Sequence, residues 1–242
     1  MLKSAGIIPI AYISIGEAED YRYYWNETWY ENPPDWLGRE NPDWPECYAV
    51  KYWYDEWKQI IFGYVKKIIN QGFMGVYLDK VDEFEYWSDP DNGENFTIPE
   101  DVAAYEMIEF IIEIAEYARS LAGNDFWIIP QNGERILDYD NGTLLRTISA
   151  WGVEDLFYNG SERLPEAITE ERVRYLRLVR EQNKPVLVVD YVDDGTGYQG
   201  ENLERIRDFV ALAKEYGFVP YVARIDRELD ELVIIPDIQP PR

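Results

Sequence analysis

The stretch Gly75–Asp82, G-V-Y-L-D-K-V-D, decides the fold. A short apolar run leads straight into two carboxylates, Asp79 and Asp82. Such a run is the mark of a strand buried in a parallel α/β sheet. In folds of this kind functional groups sit where the strand ends and the loop begins. Working outward, the pattern recurs four times. I-A-Y-I-S-I-G-E-A-E-D ends in Glu17, Glu19 and Asp20, and W-I-I-P-Q-N-G-E ends in Gln131, Asn132 and Glu134. I-S-A-W-G-V-E ends in Glu154, and V-L-V-V-D-Y ends in Asp190 and Tyr191. Five apolar segments each deliver carboxylates or amides to one rim, which points to an active site built on acid chemistry.

Helical periods fill the gaps between these strands. Trp57, Ile60, Ile61, Tyr64, Val65, Ile68 and Ile69 fall at helical spacing, closed by Gly72. Thr97 with Glu100 reads as a capping box opening a helix that runs to Leu121, with Gly123 beyond it. Thr169 is the expected cap of a third helix, and Leu203, Ile206, Phe209, Val210 and Ala213 mark a fourth. Strands are expected over 7–15, 75–79, 127–130, 147–153, 186–191 and 218–224. Alternating β and α elements imply parallel pairing with right-handed crossovers. Because nearly every strand carries polar groups at the same end, a (β/α)8 TIM-barrel type of fold accounts for the pattern best. A doubly wound sheet would gather such groups at one switch point, and no G-x-G-x-x-G loop is present.

A (β/α)8 barrel has eight strands and the pattern supplies six. The opening M-L-K-S-A-G resembles the last turn of a helix ending at Gly6, so the first one or two β units are expected to be missing from this chain. The open sheet edge this leaves is expected to be covered by a loop or a neighbouring chain of an oligomer. The expected organisation is one barrel domain over 1–242. Within it, 21–57 is an aromatic-rich insertion loop leading into a helix, and 225–242 is a proline-rich tail lying over the surface.

Composition narrows the chemistry. The 242 residues contain no histidine, which excludes Ser-His-Asp and Cys-His catalysis and His-ligated zinc. The one cysteine, Cys47, allows no intrachain disulfide and no thiolate cluster. No cofactor and no metal are therefore expected, and acid–base work falls to Asp, Glu, Tyr or Lys. Lys and Arg total 23 against 47 Asp and Glu, a formal net charge of −24. That field repels nucleic acid and anionic membranes and favours neutral or cationic ligands, although surface acidity also serves solubility. No apolar run reaches the length of a membrane span, and no signal-peptide layout is visible at the N-terminus. The cellular location is left open.

Glu17, Asp20 and Arg22 suit recognition of hydroxyl or amine groups, or an ion-paired rim. Gln131 and Asn132 can each both donate and accept hydrogen bonds, which suits contact with a polar ligand. Tyr12, Tyr158 and Tyr191 lie in or beside strand ends, where they could stack on the flat face of a ligand, while most aromatics must serve packing. Asp82 and Asp190 complete the set of candidate ligand contacts, Asp82 serving equally well as a loop brace. Trp25, Trp29, Trp36 and Trp44 are candidates for a substrate-binding wall.

S-I-G-E-A-E-D-Y-R-Y-Y-W, G-F-M-G-V-Y-L-D-K-V-D, P-Q-N-G-E, G-V-E-D-L-F-Y and V-L-V-V-D-Y together resemble glycoside hydrolase family 114, over roughly Gly6 to Arg224. The resemblance implies a TIM barrel with endo-α-1,4-polygalactosaminidase-like activity on an amino-sugar polymer. It also implies that Asp79 and Glu154 are the catalytic carboxylates. Glycoside cleavage needs one carboxyl group to protonate the leaving oxygen and another to attack or to activate water. Asp79, following directly on an apolar strand, is expected to be the better buried, and is cast as nucleophile or stabiliser with Glu154 as acid/base. The competing expectation is a catalytically silent carbohydrate-binding barrel, or an incomplete domain that needs a partner.

Overall fold

Runs of β-branched and aliphatic residues ending in acidic turns form two separate three-stranded parallel sheets. The computed structural model of the protein describes residues 6–239, so the helix turn expected at the extreme N-terminus lies outside the described residues, apart from Gly6. The chain divides into two units, Met1–Ser149 and Ala150–Arg242.

The first unit contains strands β1 (Ile10–Ser14), β2 (Glu17–Glu19), β3 (Leu37–Glu40) and β4 (Cys47–Val50), helix α1 (Asp55–Asn70), and strand β5 (Gly75–Asp79). Helices α2 (Glu83–Ser88) and α3 (Glu100–Ala122), strand β6 (Trp127–Pro130) and helix α4 (Thr143–Thr147) complete it. The parallel sheet has the order β1-β5-β6. Its register pairs Ser14 with Asp79 and Leu78 with Pro130, so the three chains leave the sheet at one level. Val76, Leu78 and Ile128 are fully buried. Helix α1 buries Trp57, Ile61, Val65 and Ile68, and α3 buries Ala103, Met107, Phe110, Ile111 and Ile114, both at helical period.

The segment expected as an aromatic loop holds β3 and β4, which join β2 just before it in a small antiparallel sheet, β2-β4-β3, pairing Glu17 with Ala49 and Glu19 with Cys47. A relay of indole rings pins it to α1. Trp25 lies 5.1 Å from Trp29, Trp29 5.1 Å from Trp36, and Trp36 5.2 Å from Trp57. Trp57 donates Nε1–H to the Ile15 carbonyl at 2.8 Å. Trp36 is buried, so it packs the loop; Trp44 is the exposed member of the four expected wall residues.

The second unit contains β7 (Trp151–Glu154), β8 (Tyr158–Asn159), β9 (Glu162–Arg163), helix α5 (Glu166–Glu181), β10 (Val186–Asp193), helix α6 (Gly200–Glu215) and β11 (Val219–Arg224). Its parallel sheet has the order β11-β10-β7, with Val189 opposite Glu154. All six expected parallel strands are present among the described residues. The fourth starts late, because residues 143–147 form α4 before β7 begins at Trp151.

Both expected helix caps are displaced by prolines. Pro99 and Pro165 hold the N-cap positions of α3 and α5, with φ of −54° and −56°, and neither helix has a side-chain cap. Glu100 instead accepts from Arg135 and from the Tyr139 hydroxyl. Thr169 lies inside α5 and donates its hydroxyl to the Leu156 carbonyl.

The tail closes the β11 edge. Gln239 accepts from the Val222 N–H at 2.7 Å and donates to the Val222 carbonyl at 2.9 Å, imitating one rung of a neighbouring strand. It also donates to Val233 O, and Val233, Ile235 and Gln239 are buried. Gln239→Ala leaves a buried N–H and carbonyl unpaired, and is expected to destabilise the protein by about 2 kcal/mol. A denaturant midpoint indistinguishable from the parent's would contradict this.

Candidate active site

At the C-terminal end of the first parallel sheet three loops meet backbone to backbone. A Cβ on Gly16, after β1, would overlap the Lys80 carbonyl and approach Glu83 Cβ to 2.7 Å. A Cβ on Gly133, after β6, would lie 2.7 Å from the Asp82 backbone nitrogen, and Gly133 has φ +59°. The glycines of S-I-G-E and P-Q-N-G-E thus let both loops close on L-D-K-V-D, which ties the three motifs into one assembly. Lys80 is itself left-handed, with φ +63°, as the chain turns sharply out of β5.

Asp79 is half-buried at the strand end. Its Oδ1 accepts from the Lys80 N–H at 2.8 Å, and its Oδ2 accepts from the Tyr12 hydroxyl at 2.6 Å. The Tyr12 hydroxyl is held far above the ordinary phenol range by desolvation of its polar end and by the Asp79 charge. Glu17 is buried and accepts from Lys80 Nζ at 2.8 Å and Asn41 Nδ2 at 2.7 Å. Burial works against the Lys80 ammonium, but Glu17 and Glu83 outweigh it and hold its pKa above the usual lysine value. Arg22 is chelated by buried Glu19, at 2.7 and 2.9 Å, and Asp20 accepts from the Tyr30 hydroxyl. Gln131 is buried, and its N–H donates to the Leu78 carbonyl, extending the β5–β6 ladder. Asn132 follows with φ +55°.

Beside this assembly lies a cleft of about 550 Å³. Six carboxylates line it, Glu17, Glu40, Asp43, Asp82, Glu83 and Glu85, against two cations, Arg39 and Lys80. Burial pushes Asp82 up to about 6, opposed by Lys80 and reinforced by Asp79 and Glu85. Glu83 is driven well above the carboxylate range by burial and by Glu17. Six carboxylates against two cations give the cleft an acidic lining.

In the second unit Glu154 ends β7, half-buried, and its Oε1 accepts from the Tyr191 hydroxyl at 2.7 Å. Burial and the Glu154 charge hold Tyr191 far above the ordinary phenol range. Arg172 donates to the Glu154 and Asp155 carbonyls. Arg227 grips Asp155 at 2.8 and 3.0 Å, and its guanidinium lies over the Tyr191 ring. The remaining expected contacts are engaged by the fold. Asp190 is fully buried and accepts from the N–H groups of Leu156, Phe157 and Tyr158, each at 2.9 Å, bracing the turn after β7. Those bonds resist the burial that pushes it up to about 6. Tyr158 is buried and donates to Asp208 on α6 at 2.6 Å, and Tyr191 is too buried to offer a stacking face.

Sequence reasoning did not single out Asn41, Glu83, Asp155 or Arg227. Asn41 and Arg227 come from segments without period, whereas Asp155, with φ +48° directly after Glu154, sits where a strand-end turn was already expected. Among the described residues no group of three or more Cys, Asp and Glu is arranged to hold a metal ion, and no helix is long and apolar enough to cross a membrane.

The raised Asp82 makes stability fall with pH. Its folded form holds a proton more tightly than the unfolded chain does, so its penalty is absent below about pH 4 and complete above about pH 6. Asp82 makes no side-chain cap bond to α2, so Asp82→Asn removes the charge at little structural cost. The variant is expected to be more stable at pH 7, by on the order of 1 kcal/mol, and equal to the parent at pH 4. Urea midpoints across that range check this, and equal midpoints at pH 7 would contradict it.

Comparison with known proteins bears on family and fold. The profile of glycoside-hydrolase family GH114 matches residues 1–240. An uncharacterized protein of Methanocaldococcus jannaschii is 61% identical over 232 residues, which is 96% of this chain and 65% of that protein. An uncharacterized protein of Thermotoga maritima is 51% identical over 241 residues, all of this chain and 72% of that protein. The chain thus spans about two thirds to three quarters of the length of these relatives. The crystal structure of Aspergillus fumigatus Ega3 in complex with galactosamine superposes with a TM-score of 0.68 at 18% identity, covering 93% of this chain and 78% of that one. The glycoside hydrolase domain of PelA from Pseudomonas aeruginosa gives 0.69 at 18% identity, covering 96% and 83%. The likeness establishes an α/β barrel-type fold, and the profile match places this chain in glycoside-hydrolase family GH114.

Proposed function

We propose that the protein is a glycoside hydrolase that cleaves an α-linked amino-sugar polymer, polygalactosamine-like or closely related, with Asp79 and Glu154 as its carboxylate pair. The observation that carries this reading is that each lies at the C-terminal end of a parallel strand and accepts a tyrosine hydroxyl, in a chain of a glycoside-hydrolase family. Both oxygens of Asp79 accept hydrogen bonds, an arrangement that suits an ionised carboxylate acting as nucleophile or stabiliser. Glu154 then takes the acid/base role. Burial does not separate the two, since both are half-buried. The cleft lined by Glu17, Asp82 and Glu83 supports an amino sugar over a neutral one, because an ammonium group there gains charge-assisted hydrogen bonds.

Asp79→Asn and Glu154→Gln in the full-length protein are each expected to lower kcat on de-N-acetylated galactosamine oligomers by about a thousandfold or more, with little change in Tm. Unchanged turnover in Asp79→Asn would end the assignment. The anomer formed first, read by proton NMR, reports the spacing of the pair: roughly 5 Å gives retention and roughly 6.5–9.5 Å gives inversion.

The acidic cleft makes a separate prediction. Affinity for a deacetylated oligomer is expected to fall as salt rises from about 0.05 to 0.5 M and to exceed that for the fully acetylated form. Salt-independent binding, or tighter binding of the acetylated form, would refute the electrostatic part.

A further inference from the structure

Each candidate carboxylate is reached by a tyrosine from the strand beside it. The two bridges lie on opposite diagonals of their sheets. Ser14 pairs with Asp79, and Tyr12 stands two residues before Ser14. Val189 pairs with Glu154, and Tyr191 stands two residues after Val189. Residues two apart on a strand share a face, and such diagonal neighbours are within reach of an aromatic side chain. The rings are fixed in turn. The Arg22 guanidinium carbon lies 5.9 Å from the Tyr12 ring centroid, and both Nε and Nη2 are held by Glu19. The Arg227 carbon lies 4.4 Å from the Tyr191 centroid, and Nη1 and Nη2 are held by Asp155. One four-part chain of carboxylate, tyrosine, arginine and second carboxylate thus occurs in each unit. Both chains end on a carboxylate at the C-terminal end of a parallel strand, the position where functional groups of this fold class act.

We infer that Tyr12 and Tyr191 are positioning residues, which hold Asp79 and Glu154 each in one rotamer and remain neutral hydrogen-bond donors while the enzyme works. The inference rests on the hydrolase reading for the roles of the two carboxylates. Both hydroxyls hold their protons far above neutral pH, through burial and the adjoining carboxylate, so neither serves as a nucleophile or a general base. A donor to the ionised form of a carboxyl group favours that form, so losing the hydroxyl shifts ionisation to higher pH. The charged and titratable groups around Tyr12 and Asp79 are Glu19, Tyr21 and Arg22 from the first loop and Lys80, Asp82 and Glu83 from the loop after β5. Those around Tyr191 and Glu154 include, among the described residues, Asp155, Arg172 and Arg227. Tyrosine-to-phenylalanine changes leave all of these in place.

The test is Tyr12→Phe and Tyr191→Phe in the full-length protein, with Tyr216→Phe as control, since Tyr216 donates to Glu170 on the outer helix α5. Each of the first two is expected to lower kcat by about 10- to 100-fold on galactosamine oligomers with KM changed less than about threefold. In at least one of them the acid limb of the kcat/KM profile is expected to move up by roughly 0.5–1 pH unit. Tyr216→Phe is expected to leave both unchanged. Crystal structures of the two variants give a readout that needs no substrate, and the carboxylate that loses its tyrosine donor is expected in a second rotamer. Variants that lose only Tm, with kcat, pH profile and rotamers as in the parent, would overturn the inference. If Asp79→Asn and Glu154→Gln retain full turnover, the hydrolase roles fail, and the rotamers decide the positioning claim by themselves: moved carboxylates sustain it and unmoved ones refute it.

Discussion

The register of β5 against β1 is the constraint on which the first unit's site depends. Side chains alternate faces along a strand, so a slip of one residue would turn Asp79 away from Tyr12 and carry Val76 and Leu78 out of the core. Burial on the scale of two fully enclosed aliphatic side chains, about 2 kcal/mol each, opposes such a slip. The loop contacts lock the same register from outside the sheet. Gly16 fits against the Lys80 carbonyl, and Gly133 against the Asp82 nitrogen, only when the strands end level. The placement of the carboxylates therefore follows from hydrophobic packing and close backbone approach.

What the packing positions, electrostatics strains. Glu17 pairs with the single ammonium of Lys80 while Asp82 and Glu83 lie in its field, and Glu83, fully desolvated, is the one driven furthest toward its protonated form. A fold selected for stability alone would replace such a cluster with apolar side chains of similar volume. Its presence in a cleft beside a strand end is the arrangement expected where binding sets the sequence. Asp190 shows the contrast. It is as deeply buried, yet three backbone N–H groups satisfy it, and its place is structural.

Much of this was legible in the sequence because it rests on local patterns. Apolar runs closed by carboxylates or amides located five of the six parallel strands, the apolar run 218–224 after a helix supplied the sixth, and helical periods located α1, α3, α5 and α6. The parts that were not legible depend on contacts between distant segments. Residues 21–54 carry no period because their order comes from an indole relay onto Trp57 and from pairing of β2 with β4. Proline took the cap positions expected of Thr97 and Thr169, since its fixed φ already suits the entry to a helix. Strand-end position singled out Asp79, Glu154 and Asp190 alike, and it could not separate Asp190, which turns inward to brace a loop. Tyr12 and Tyr191 were legible as strand-end aromatics; their role as donors to the carboxylates required the register.

The most direct test of the central claim is a crystal structure of the full-length protein, with Glu154→Gln to slow turnover, bound to a de-N-acetylated galactosamine oligosaccharide. The account predicts a glycosidic oxygen within hydrogen-bond reach of the residue 154 side chain, roughly 3 Å, and an anomeric carbon facing the Asp79 carboxylate at about 3–3.5 Å. An oligosaccharide bound away from both strand ends would contradict it.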